Sequence, residues 1–184
     1  ETEEVEIVIP RFLVASVFDI SQTDGEPLPE LETPELMGSV ENFKVFMKAV
    51  QEVSPVPVRF DEISSGAKGY YSNTEKEIVI QNGMSESQTM KTGIHEVTHA
   101  MLHDRDFMEE QGEKKNQMTK EVEAESVAYT VCQYFGLDTS DYSFPYIAGW
   151  SSSMDMKELR TSMDTIRKTA GSFIDSMTEV IQRF

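Results

Sequence analysis

Residues 5–20 are rich in Val, Ile and Phe but interrupted by Glu6, Pro10, Arg11 and Asp19, a pattern that predicts one or two strands entering a sheet. Thr23, Asp24, Gly25 and two prolines then supply turn chemistry, so 21–35 is expected as a surface loop. Ser39 is placed to cap a helix on which Val40, Phe43, Phe46, Met47 and Val50 recur at helical spacing while Glu41, Lys44 and Lys48 point elsewhere. Residues 56–60 read as a short strand, and EIVIQ at 77–81 as a second, ahead of an Asn82-Gly83 turn. Ser85 and Gln88 form a capping box that opens a helix running to about residue 103. The polar stretch 104–116 predicts a mobile loop, and the next helix is expected from about 118 to 135, stopped by Gly136. Residues 142–150 read as an aromatic connection. Leu159, Met163, Ile166, Ala170, Phe173, Met177, Val180 and Ile181 then trace one face of a long terminal helix, with a break allowed near Gly171.

The first of the two central helices carries the chemistry. His95-Glu96-Val97-Thr98-His99 reads HExxH, and four helical residues advance about 6 Å with about 40° beyond a full turn, so both imidazoles reach one Zn²⁺. Glu96 stands beside them, where it accepts the proton of a metal-activated water and later returns it to a leaving amine. The following helix supplies the third ligand from Glu121-Val122-Glu123-Ala124-Glu125. Glu121 and Glu125 share a face, and Glu123 lies about 200° round and is expected to point to solvent. Glu121 is therefore assigned as ligand and Glu125 as the carboxylate that orients a ligating histidine, with the reverse assignment as the alternative. Ala124 and Ala128 imply close packing on that side, where a buried carboxylate needs a cation. Two histidines and one glutamate leave a coordination position open, as in catalytic rather than structural zinc sites.

His103 is expected as a partly exposed helix residue in preference to a supporting or substrate-contacting role. A zinc peptidase also needs a donor for its oxyanion, and Tyr70, Tyr71, Tyr129, Tyr146 and His103 are the candidates between which the sequence does not choose. For each tyrosine a core or rim position with a satisfied hydroxyl is the more ordinary role. Trp150, the eleven methionines and Cys132 are read as packing residues.

Composition narrows the context. With 184 residues, one domain and one core are expected over the whole chain, and a start at Glu1 without methionine suits a domain excised from a longer protein. Sixteen Lys plus Arg against 33 Asp plus Glu leave a net charge of −17, which disfavours direct nucleic-acid binding. A single cysteine with apolar neighbours suits a reducing compartment, and no apolar run is long enough for a membrane span, so a cytoplasmic location is expected. Oligomeric state is not legible.

IHEVTHAMLH followed by EVEAESVAY resembles the zincin metallopeptidase domains of the ImmA/IrrE type, and is similar to the peptidase-like domains of ArdC and LtrC-type antirestriction proteins on mobile elements. FLVASVFDISQTDGEPLP, GYYSNTEKEIVIQNGMSESQ and FPYIAGW extend the resemblance over most of the chain. It implies a zincin fold in which an edge strand lies above the metal and pairs with an extended peptide, and 77–81 best matches that strand. ArdC-type proteins also carry a basic single-strand-binding domain, to which nothing in this acidic chain corresponds. Relatives of the ImmA type cleave repressors, which implies a regulatory protein or peptide as substrate. The fold class expected is α+β: a small twisted mixed sheet on the HExxH helix, a third-ligand helix and a long C-terminal helix. The activity expected is a zinc-dependent endopeptidase acting by Glu-assisted attack of zinc-bound water. The alternative is a non-proteolytic zincin-fold interaction or antirestriction protein, acidic enough to mimic DNA.

Overall fold

Ile78, Val79 and Ile80 are buried in succession. Because neighbouring strand residues face opposite sides of a sheet, such a run requires cover on both faces. In the computed structural model, which describes residues 36, 40–112, 114–140, 143 and 156–184, these residues lie in β3 (Glu77–Gln81). β3 pairs in parallel with β1 (Val58–Asp61), Val58 opposite Ile78, and antiparallel with β2 (Gly69–Ser72), Tyr70 opposite Val79. The order β1-β3-β2 makes β3 the central strand. The edge-strand role expected for 77–81 is thereby corrected: both its edges are already paired, and β2 is the outer strand beside the HExxH helix among the described residues. β2 itself went unread because GYYS is four residues long and set among Gly, Ser, Asn and Thr that signal turns.

Five helices complete this α+β architecture among the described residues: α1 (Phe43–Val53), α2 (Glu86–Leu102), α3 (Arg105–Gln111), α4 (Gln117–Tyr134) and α5 (Met156–Ile181). α2 is the hub. Ser85 accepts from the Gln88 backbone N–H at 3.1 Å, while the Gln88 side chain turns to Thr92 instead of closing the capping box. Glu86 accepts from the Val40 N–H at 2.8 Å and so ties the approach to α1 to the start of α2. α1 begins at Phe43 behind Asn42 in a left-handed conformation with no side-chain cap; the cap expected at Ser39 lies outside the described residues. So do the strands expected in 5–20, the loop 21–35, Tyr146 and Trp150.

The loop expected at 104–116 contains α3, a correction with a clear cause. Asp104 accepts from the backbone N–H groups of Asp106 and Phe107, Gly112 closes the helix at φ 66°, and buried Met108 fastens this polar turn to the body. Asp104 also receives the Tyr71 hydroxyl and the Lys76 ammonium. Burial works against its charge, but the hydrogen bonds from Lys76 and Tyr71 win and hold its pKa down to about 2. Since the folded pKa is depressed, its contribution to stability is present above the ordinary carboxylate range and lost as the pH falls towards 2. Asp104→Asn is therefore expected to lower the midpoint of urea unfolding at pH 7 and to converge with the unmodified protein on acidification; equal midpoints at pH 7 would refute this.

Ala170, Phe173, Met177 and Val180 of α5 join Val50, Ile80, Ile94, Val131 and Cys132 in the core. Burial pushes the Cys132 thiol up to about 12, as befits a packing residue. α5 runs unbroken through Gly171. Towards its start the buried position passes from the expected Met163, 59% exposed, to Ser162, whose hydroxyl is needed inside.

Candidate metal centre

Two turns of α2 and one of α4 converge on a point. His95 Nε2 and His99 Nε2 are 3.1 Å apart, and Glu121 Oε2 lies 3.5 Å from each. One donor atom from each of the three lies within 4.8 Å of the others. The i, i+4 spacing stacks the imidazoles on one face of α2, and α4, packed on α2, brings Glu121 across from them.

The partners of the outer ring nitrogens settle which lone pairs face inward. Glu125 Oε2 lies 3.1 Å from His95 Nδ1; a carboxylate only accepts, so Nδ1 donates and Nε2 carries the lone pair. Glu123 Oε2 likewise takes the Nε2–H of His103 at 3.0 Å, which leaves His103 Nδ1 as acceptor for the Nδ1–H of His99 at 2.9 Å. His99 Nε2 therefore also presents a lone pair. Two nitrogen lone pairs and a carboxylate oxygen at this separation repel one another unless a cation or a proton lies between them. The set matches what a divalent zinc ion takes, and the residues present fit it. The same demand appears in His95 itself: burial opposes its charge, yet Glu121 and Glu125 lift its pKa to about 9.

Each histidine is backed by its own buried carboxylate. Glu125 accepts from Lys91 Nζ at 2.6 Å and from Ser143 Oγ at 2.6 Å besides His95. Burial raises its pKa, but His95 and Lys91 outweigh this and bring it to about 2. Lys91 is only 3% exposed, and desolvation pulls its pKa down. The signal for it was present: a lysine one turn before His95, flanked by Met90, Thr92 and Gly93 on a helix with little polar surface.

Glu123 corrects the expectation of a solvent-facing side chain. It is 0% exposed and accepts from His103, from Lys115 Nζ at 2.9 Å and from Ser162 Oγ at 2.7 Å. The expectation assumed that α4 has one wet face, whereas α4 packs against both α2 and α5. His103 is likewise 4% exposed, not partly exposed, because it caps α2 and links His99 to Glu123.

This chain is 29% identical, across 92% of its length, to the uncharacterized protein pXO2-81 of Bacillus anthracis. It spans about a third, 31%, of that relative's own length. No family model and no solved structure matches it significantly.

A cleft of about 340 Å³ opens over the three ligand candidates and is lined also by Glu96, Gly69, Tyr70 and Lys120. Glu96 is 8% exposed and has Gly69 of β2 against it: a Cβ at 69 would stand 3.2 Å from Glu96 Cγ and 2.7 Å from Thr92 Cγ2. Glycine here lets the strand approach the helix. Of the oxyanion candidates, Tyr70 borders the cleft and is 41% exposed. Tyr71 borders it too, but its hydroxyl is committed to Asp104, and burial with that carboxylate pushes its pKa up to about 12. Tyr129 is not among the lining residues, and His103 has both ring nitrogens engaged.

Proposed function

We propose that this chain is a zinc-dependent endopeptidase domain of zincin type, resembling the ImmA/IrrE family, that acts on a protein or peptide in the cytoplasm. The observation that carries this reading is the convergence of His95 Nε2, His99 Nε2 and Glu121 Oε2 beneath a cleft that also holds Glu96. Zn²⁺ held by those three residues supplies, when bound, a Lewis acid that lowers the pKa of water and polarises a carbonyl.

The chain's own groups do the rest. Glu96, on the shielded side of the cleft against β2, takes up the proton of the attacking water at its carboxylate and delivers it to the departing amine. Glu125 and the His103–Glu123 pair hold the imidazoles in the tautomers that face inward. β2, unpaired on its outer side among the described residues, offers main-chain groups to an extended substrate, with Tyr70 at the rim as oxyanion donor. A cytoplasmic site suits the buried thiol of Cys132. No helix among the described residues is long and apolar enough to cross a membrane.

Metal content tests the reading. Protein purified without added metal or chelator is expected to carry about one zinc per chain, and Glu121→Ala sharply less, by elemental analysis. Absence of zinc from the unmodified protein even after reconstitution would overturn it.

A further inference from the structure

The cations of this chain are few, and several of those described are matched by acids. Arg59 pairs with Asp61 and Glu77, Lys76 with Asp104 and Asp106, Lys91 with Glu125, and Lys115 with Glu123. Arg105, Lys114 and Lys120 are set apart by sharing one space. Among the described residues none of the three has an ion-pair partner, and all three line a single cavity of about 530 Å³. Glu109 is the one acid among the described residues of its wall, and buried Met108 supplies an apolar patch there. Asn73, His103 and Lys120 line both this cavity and the cleft over His95, His99 and Glu121, so the two spaces adjoin.

We propose that the Arg105, Lys114 and Lys120 cavity is a subsite that receives an acidic side chain of the substrate peptide close to the bond brought to His95, His99 and Glu121. This rests on the peptidase reading and names its substrate class. The excess of positive charge among the described lining residues, three cations against Glu109, suits a carboxylate on a short apolar stem resting on Met108. A polyanion is disfavoured, because a nucleic acid would meet the −17 of the whole chain before it met these three residues. Lys120 precedes the candidate ligand Glu121 on α4, which places the subsite's charge one residue from the metal centre. The positive charge would thus bias which peptide segment settles in the cleft, by complementarity.

Binding and cleavage are measured separately. Two random peptide pools, identical except for a fixed central Glu in one and Gln in the other, compete for zinc-loaded Glu96→Gln protein against a labelled pool peptide, read by fluorescence anisotropy. The Glu pool is expected to bind about three- to tenfold more tightly at low salt, and the advantage to shrink at about 0.5 M salt. R105Q/K120Q is expected to abolish the advantage with zinc content unchanged. Equal binding of the pools, no binding of either, or displacement by a single-stranded oligonucleotide in preference to the Glu pool would overturn the subsite. Mass spectrometry of both pools after incubation with the unmodified protein separates the two claims. A Glu preference in binding without any cleavage removes the peptidase reading and leaves the subsite standing; cleavage indifferent to Glu does the reverse.

Discussion

Glu123→Ala is expected to lower folding stability by about 3–5 kcal/mol, the range for removing one partner from a buried charge cluster. The carboxylate sits at 0% exposure with three donors on it, from His103, Lys115 and Ser162. Deleting it removes the carboxylate that faces the Lys115 ammonium, 14% exposed, and leaves the Ser162 hydroxyl without this acceptor. The same change releases His103, hence His99 Nδ1, and zinc affinity is expected to fall about 10- to 100-fold as the imidazole loses its fixed tautomer. Urea unfolding and zinc titration with a chromogenic chelator measure the two effects. Glu123→Gln, which keeps an acceptor oxygen, should recover part of the stability. A Glu123→Ala protein as stable as its parent would mean that the carboxylate is solvated in solution.

Glu96→Gln is expected to retain zinc and to lose hydrolysis about 10²- to 10⁴-fold, the contribution of a positioned general base. The amide keeps the size of the side chain, so the close approach of Gly69 to residue 96 is undisturbed and the fold should be unaffected. Only the ability to take up a proton is lost. The comparison that matters is with Glu121→Ala, where metal and activity should fall together. Cleavage by the Glu96→Gln protein at the parental rate would assign the proton transfer to another group and deprive HExxH of its catalytic meaning here.

Much of this arrangement was legible along the chain, for a physical reason. Spacing within one helix is a local quantity, so the four-residue separation of His95 and His99, and of Glu121 and Glu125, could be converted into shared faces without knowing the fold. β3 and the ends of α2 and α4 were legible on the same terms: a short run of β-branched residues, a capping serine and a stopping glycine. What was lost depended on a third element. The covering of Glu123 needs α5 to lie on the side of α4 that α2 leaves open, and nothing near residue 123 says so. The burial of Ser162 in place of Met163 is the other half of the same event. α3 was missed because a seven-residue helix held by one methionine and two caps has almost no period to read, and β2 because its residues also serve turns.

The two imidazoles differ in what their supports are fastened to. Glu125, behind His95, is tied back to Lys91 on the same helix and to Ser143 past the end of α4, whereas Glu123, behind His99, is tied to Lys115 ahead of α4 and to Ser162 on α5. Glu123 therefore couples three stretches of chain, and none of them can open without taking a donor away from this buried carboxylate. Local melting around His99 is in this way as costly as opening the body of the protein. The amide hydrogens of the last turns of α2 should thus exchange with solvent only through global unfolding, which makes the candidate metal centre part of the slowest-exchanging core and not a fringe built upon it.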